Sequence, residues 1–165
     1  MTTKVLFPVS NRYSFTKIYD KAIEFAKVSG IISILQTVCD MKPFDEKLQM
    51  MRTMPYGSIG REMSLMLDKH GFRLIPKYES HDLKHLILGY GMTPKEEVKM
   101  QFFLIGNGNY SFSCLLFASL GIFMPDIWKE LREDFLRGKR VDSILCLEMD
   151  DCLDKNLLEL KIQYQ

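Results

Sequence analysis

The chain has 165 residues, of which 22 are Lys or Arg and 21 are Asp or Glu, so its formal net charge is +1. This near-neutral balance argues against a nucleic-acid-binding protein, which usually carries a strongly basic face. Hydrophobic residues make up 47% and charged residues 26%, a composition that excludes a disordered chain. At this length we expect one globular domain covering residues 1–165.

The first predicted element is an amphipathic helix at residues 15–26, where apolar residues recur at helical spacing after Ser14 in the N-cap position. Residues 31–38 are apolar and rich in β-branched side chains, which leaves a helix and a short strand both open. Residues 44–54 are predicted to form another helix, closed by Pro55.

Ser58 is expected to cap the next helix, and Gly71 is expected to end it in the left-handed conformation that glycine adopts readily. His70, directly before that glycine, is interpreted as a residue that complements the negative end of the helix dipole. Ser80 is a candidate N-cap for a further helix over residues 81–88.

The second half of the chain is also predicted to be helical. Thr93-Pro94-Lys95-Glu96 is a capping box with proline at the first helical position. Residues 110–124 are mostly apolar but too few to span a bilayer, so we expect a buried core helix there. A helix that lines a lipid cavity or lies against a membrane surface is the alternative. Residues 127–135 carry an apolar stripe at helical spacing that ends at Gly138, and leucines recur within residues 153–160. Both patterns predict helices, so we expect the chain to fold as an all-α helical bundle.

The cysteines and the N-terminus indicate the compartment. The four cysteines include no Cys-x-x-Cys pair, which excludes zinc-ribbon and thioredoxin-like proteins. The first ten residues lack the apolar run of a signal peptide and the Arg- and Ser-rich character of a transit peptide. We therefore expect reduced thiols in a cytoplasmic protein without a transmembrane segment.

Two of the three histidines of the chain, His81 and His85, are four residues apart. On a helix, this spacing places both imidazoles on one face, one turn above the other, as in helices that offer two ligands to a metal ion. Asp82 precedes His85 by three residues, so it can reach the same ion or orient an imidazole.

Glu97 is the fourth candidate ligand, with eleven residues between it and His85. If the flanking helices run antiparallel about a break near residue 91, the two residues lie equally far from the break and face each other. Two imidazoles and a carboxylate suit zinc in hydrolytic chemistry or iron in oxygen chemistry. Glu96 occupies the N3 position of the capping box, which predicts a structural role for that neighbour.

Taken singly, each histidine has a plainer interpretation, because His81 can be a surface residue and His85 a core histidine with a satisfied hydrogen bond. The helical spacing of the pair, with a carboxylate in register, favours the metal site.

The pattern His81-Asp82-x-x-His85, then eleven residues and Glu97, resembles the signature of the ubiquinone (coenzyme Q) biosynthesis protein 4 family. The similarity extends to upstream and downstream segments and covers about residues 30–160. These segments are residues 57–62 and 67–71 before the motif, and residues 137–140 and 144–148 after it.

The resemblance implies an all-helical protein that forms a homodimer and makes peripheral contact with a membrane. It implies a polyprenyl quinone precursor or other prenyl lipid in a hydrophobic tunnel, with the head group at a divalent metal ion held by His81, Asp82, His85 and Glu97. Zinc, iron and magnesium are the candidate ions. Arg61 and Glu62 are candidate head-group contacts.

The activity that the resemblance implies is replacement of the ring C1 carboxyl of a polyprenylated hydroxybenzoate by hydroxyl, an oxidative decarboxylation. Because the mitochondrial presequence of eukaryotic members is absent, the resemblance points to a bacterial protein on the inner membrane. A non-catalytic prenyl-lipid-binding scaffold that organises a quinone biosynthesis complex is the alternative. An HD-type phosphohydrolase is a third interpretation of His81-Asp82, but that class needs further His and Asp ligands at separate positions.

Overall fold

The computed structural model describes residues 40–164, and in this range the chain is all-α. The helix predicted at residues 15–26 and the element predicted at residues 31–38 lie outside the described residues. Between residues 40 and 164 there is no strand, only an isolated antiparallel bridge between Ser58 and Asn156. For residues 40–164, the expected all-α fold class is confirmed.

The described part of the chain contains seven α-helices, with two short 3-10 turns between the fifth and the sixth. The helices are α1 (Lys42–Arg52), α2 (Ile59–His70), α3 (Glu79–Leu88), α4 (Pro94–Gly106), α5 (Phe112–Ser119), α6 (Trp128–Gly138) and α7 (Leu157–Tyr164), and the 3-10 turns are Leu120–Phe123 and Pro125–Ile127.

Several helix ends fall where local sequence signals predict them. The Ser58 side chain accepts a hydrogen bond from the Arg61 backbone N–H at the start of α2, and Gly71 ends α2 with φ of 66°. At the start of α4, the Thr93 side chain accepts from the Glu96 N–H. Only this half of the capping box is seen, because the Glu96 carboxylate accepts from Lys99 Nζ at 3.1 Å.

The predicted start of α3 is wrong. This helix begins at Glu79, ahead of Ser80, and the Ser80 hydroxyl donates to Glu148 Oε2 at 2.7 Å instead of capping. The helix is preceded by a tight turn in which the Tyr78 N–H donates to the Ile75 carbonyl at 3.0 Å. Pro76 occupies the second position of this turn and Lys77 the third, with φ of 69°. This is the pattern of a type II turn, whose third position favours glycine.

Replacing Lys77 with glycine is expected to raise the free energy of unfolding by about 1 kcal/mol, because it removes left-handed strain that a Cβ atom causes. Urea unfolding followed by circular dichroism measures the change. Lys77→Ala is the matched control, since alanine also removes the long side chain but keeps the strain. Equal stability of the two variants would show that the backbone at this turn is not strained.

Two glycines allow α4 and α6 to pack closely. A Cβ atom on Gly106 would fall on the Phe135 carbonyl oxygen, and a Cβ atom on Gly138 would fall on the Phe103 carbonyl oxygen. The backbones therefore meet directly at this crossing. Since α4 carries Glu97, the crossing fixes the helix that supplies the carboxylate of the candidate site.

The main core lies among α1 to α4 and α7, and a smaller cluster lies between α4 and the segment that leads into α6. The backbone of residues 153–157 closes the main core over the start of α2. The Ile59 N–H donates to the Lys155 carbonyl, and the Gly60 N–H donates to the Leu153 carbonyl, both at 2.9 Å. These bonds satisfy amides that the first turn of a helix leaves without helical partners.

The expected burial of residues 110–124 is wrong for most of this run. Only one side of α5 and the following turn packs inward, through Cys114, Ala118 and Gly121. The opposite side is apolar but exposed, with 82% of Phe112 accessible to solvent. The exposed members of this surface, called here the α5 face, are Phe112, Leu115, Leu116, Ile122 and Phe123.

No helix within residues 40–164 has both the length and the apolar character to cross a bilayer alone. The segments Phe112–Phe123 and Pro125–Gly138 satisfy these two criteria only when taken together, and a bend of 98° separates them.

Candidate metal centre

The structure brings His81, His85 and Glu97 together across the connection between α3 and α4. His85 Nε2 lies 3.1 Å from Glu97 Oε2 and 3.2 Å from His81 Nε2. His81 Nε2 lies 3.5 Å from the same carboxylate oxygen. Three ligand-type atoms therefore form a nearly equilateral triangle, as the register of the motif predicted.

Burial differs among the three side chains. Those of His85 and Glu97 are almost inaccessible, whereas the His81 side chain is 30% exposed. The group is thus enclosed on one side and reaches solvent at His81. Three protein ligands with an accessible side are the arrangement of catalytic zinc sites, in which the fourth position is left to water or substrate.

The donor spacing fits a metal ion. Ligand atoms bound tetrahedrally at zinc distances of about 2.0–2.1 Å lie about 3.4 Å from one another. The observed separations of 3.1 to 3.5 Å span that value. Zinc and iron suit two imidazoles and one carboxylate better than magnesium does, because magnesium prefers an all-oxygen shell.

Both buried ligands are oriented by further hydrogen bonds. His85 Nδ1 lies 3.3 Å from the Tyr90 carbonyl oxygen, which can only accept, so the proton of the neutral ring belongs on Nδ1. Gln101 Nε2 donates to Glu97 Oε1 at 2.7 Å. His85 Nε2 and Glu97 Oε2 are left facing each other, and two acceptor atoms this close require a proton or a cation between them.

Glu97 affects the pKa of a nearby thiol, that of Cys114. Burial, and secondarily the Glu97 carboxylate, raises the pKa of Cys114 to about 11. Cys114 lies on the inner side of α5, and its Sγ is 3.6 Å from the Gln101 carbonyl oxygen. This buried thiol stays protonated at neutral pH and contacts α4 at the Gln101 carbonyl.

Asp82 is half-buried and is not a member of the three-residue group. It takes part in another interaction and is not a free carboxylate. The structure therefore assembles three of the four candidate ligands at mutual ligand distances.

Arg61 and Glu62, the candidate head-group contacts, form hydrogen bonds with residues of the turn before α2. Arg61 Nη2 donates to the Tyr56 hydroxyl at 3.0 Å, and its guanidinium lies 4.6 Å from the centre of that ring. Glu62 Oε1 accepts from the Gly57 N–H at 3.0 Å. Both side chains thus have local structural partners, and neither belongs to the metal-ligand group.

Sequence reasoning missed the residues that support the ligands. Gln101 follows Glu97 by four residues, so helical spacing alone could have placed its amide beside the carboxylate. Tyr90 contributes through its backbone carbonyl, and no side-chain pattern signals that role.

No protein-family model matches the sequence, and no curated protein is significantly similar to it. The resemblance to the ubiquinone biosynthesis protein 4 family therefore rests on the motif residues and the segments around them.

Proposed function

We propose that this chain is a metal-dependent protein of ubiquinone biosynthesis that acts on a polyprenylated hydroxybenzoate. The observation that supports the proposal is the His81–His85–Glu97 group, whose members hold the positions of the resembled motif. In the proposed reaction the bond between ring C1 and the carboxyl group breaks, carbon dioxide leaves, and a C–O bond forms with oxygen from water. Two electrons and two protons pass to an acceptor, for which dioxygen, reduced to hydrogen peroxide, is the candidate.

The three ligands give the chain a defined role in this chemistry. His81, His85 and Glu97 would hold a divalent ion, which as a Lewis acid would polarise the phenolate or carboxylate of the substrate. His85 and Glu97 are buried and held by Tyr90 and Gln101, so they keep their orientation when substrate enters. His81, on the exposed side, marks the direction from which the head group approaches.

An apolar groove supports the binding of a prenyl chain. It lies against α4 and α6, is open to solvent, and has a volume of about 610 Å³, within the range of about 300–1,000 Å³ for ligand pockets. Its lining is apolar apart from Arg132 and includes Phe102, Ile105, Trp128, Leu131 and Phe135. The groove lies against α4, the helix that also carries Glu97.

Turnover separates the enzyme from the scaffold alternative. The full chain is loaded with Fe²⁺ or Zn²⁺ and given a prenylated 4-hydroxybenzoate labelled with ¹³C in the carboxyl group, in the presence of dioxygen. We expect labelled carbon dioxide and a ring product that carries hydroxyl at C1, with both lost in Glu97→Gln. No carbon dioxide with either metal, together with stable binding of the prenyl lipid, would contradict the enzyme and favour the scaffold.

The membrane contact in this proposal is assigned to the α5 face. This surface lies within a stretch from residue 107 to residue 125 that contains no charged side chain. A short helix with an apolar exposed side is suited to lie in the interface of a bilayer, buried by about 5–10 Å. Trp128, about half exposed, lines the apolar groove together with Ile122 of this surface, and tryptophan favours that interfacial depth.

Vesicle sedimentation tests this assignment. Replacing Ile122 and Phe123 with serine is expected to lower binding to phosphatidylglycerol and phosphatidylethanolamine vesicles at least tenfold, because it removes apolar area from the bilayer. The matched control replaces Leu158 and Ile162, two exposed apolar residues of α7, with serine. Equal binding of the two double variants would contradict the membrane role. If the first variant instead turns a dimer into a monomer with vesicle binding unchanged, the surface joins two copies of the chain.

A further inference from the structure

Tyr90 is the anchor of the connection between α3 and α4. It stands between two glycines, and Gly89 has φ of 76°, so the backbone on either side has little rigidity of its own. The Tyr90 side chain is buried, with its ring in edge contact with Phe103. The position of this connection therefore depends on what holds the Tyr90 side chain.

Two residues of α6 hold the Tyr90 hydroxyl. It donates to Asp134 Oδ1 at 2.7 Å and accepts from Arg137 Nη2 at 2.6 Å. The Arg137 guanidinium also lies 5.1 Å from the ring centres of Tyr90 and Phe103. Burial raises the pKa of the Tyr90 phenol, so the hydroxyl remains a donor to the carboxylate. Tyr90 is thus clamped by a helix more than forty residues away in the sequence.

The backbone of Tyr90 meets the metal-ligand group directly. Its carbonyl oxygen is the acceptor 3.3 Å from His85 Nδ1, a contact buried from solvent. This contact determines which ring nitrogen carries the proton, and it points Nε2 at Glu97. A shift of the carbonyl would change the orientation of the ligand without any change in the ligand itself.

We infer that Asp134 and Arg137 are positioning residues for His85 and act through Tyr90. The inference rests on the metal site of the proposed function. A buried carboxylate is an expensive way to stabilise a core, since apolar residues of similar volume often serve as well or better. Asp134 is buried, and its bond to Tyr90 gives this polar group a role that an apolar side chain cannot fill.

The test compares three variants of the full chain. Tyr90→Phe removes the hydroxyl, Asp134→Leu removes its acceptor, and Asp134→Asn keeps an acceptor oxygen. Zinc affinity is measured by competition with a chromophoric chelator. Tyr90→Phe and Asp134→Leu are expected to weaken zinc binding about tenfold, because the Tyr90 carbonyl that orients His85 is then no longer held in place. Asp134→Asn is expected to stay within about threefold of the original chain, because its amide oxygen still accepts from Tyr90.

A spectroscopic reading separates positioning from loss of stability. In the zinc-free chain, ¹⁵N NMR of the imidazoles reports which nitrogen of His85 is protonated. We expect Nδ1 of His85 to carry a proton in the original chain and in Asp134→Asn, and a smaller Nδ1-protonated fraction in Tyr90→Phe and Asp134→Leu. Ile144→Val, a buried change in the main core, is the stability control and should move neither reading.

Unchanged zinc affinity and tautomer in Tyr90→Phe would overturn the inference. Its failure is distinguishable from that of the proposed function, because neither reading depends on turnover. If the original chain binds neither Zn²⁺ nor Fe²⁺, the proposed function fails, while the NMR reading still reports whether Tyr90 orients His85.

Discussion

Replacing Gly138 with alanine is expected to lower the free energy of unfolding by about 3 kcal/mol, at the upper end of the usual cost of overpacking. The new Cβ atom would fall on the Phe103 carbonyl oxygen of α4, which is backbone and cannot rotate away. Relief requires separating α4 from α6. At the same crossing Gly106 of α4 lies equally close to the Phe135 carbonyl of α6. A small rotation of either helix would therefore not remove the clash.

Urea unfolding followed by circular dichroism measures this loss. Gly91→Ala is the matched control, since a Cβ atom there meets only the Glu96 side chain at ordinary contact distance and the residue does not have positive φ. Its stability should stay within about 0.5 kcal/mol of the original. If Gly138→Ala is as stable as Gly91→Ala, the close backbone contact between α4 and α6 does not exist in solution.

Glu97→Gln is expected to weaken zinc binding more than about 100-fold, beyond the cost of losing an outer-shell partner. The amide keeps the size of the carboxylate but removes the negative charge and an anionic oxygen from the ligand triangle. His85→Ala should have a similar effect, since it removes the nitrogen that lies closest to both other ligands. Neither change should reduce helicity, because the affected contacts are confined to the site.

Metal content after dialysis and chelator competition give the two readings. Glu96→Gln is the matched control, because Glu96 neighbours Glu97 in the same turn but pairs with Lys99 instead of facing the histidines. It should retain the metal content of the original chain. If Glu96→Gln and Glu97→Gln bind zinc with equal affinity, Glu97 is not a metal ligand.

Features set by neighbouring residues could be predicted from the sequence. The caps at Ser58 and Thr93 and the glycine end at Gly71 depend on hydrogen bonds within one helical turn, so local sequence determines them. The meeting of His85 and Glu97 is also a short-range result, because helical periodicity on either side of a five-residue connection determines their register.

Features that depend on distant contacts could not be predicted. The Asp134 and Arg137 side chains that hold Tyr90 come from a helix whose packing is decided by the Gly106 and Gly138 crossing. No local pattern specifies that pairing.

The exposure of α5 was mispredicted for a related reason. Its composition is that of a core helix, but its inner side is made of small residues that pack on α4. Whether the other side of a helix is covered depends on how many neighbours pack around it, and periodicity does not report that number.

The most direct test of the metal centre is X-ray absorption at the zinc edge on the full chain loaded with one equivalent of Zn²⁺. The chain offers His81, His85 and Glu97 as ligands, so we expect only nitrogen and oxygen neighbours at about 2.0–2.1 Å, with multiple scattering from two imidazoles. Sulfur neighbours at about 2.3 Å would place the zinc on cysteine and contradict the account. A spectrum without imidazole scattering would contradict it as well.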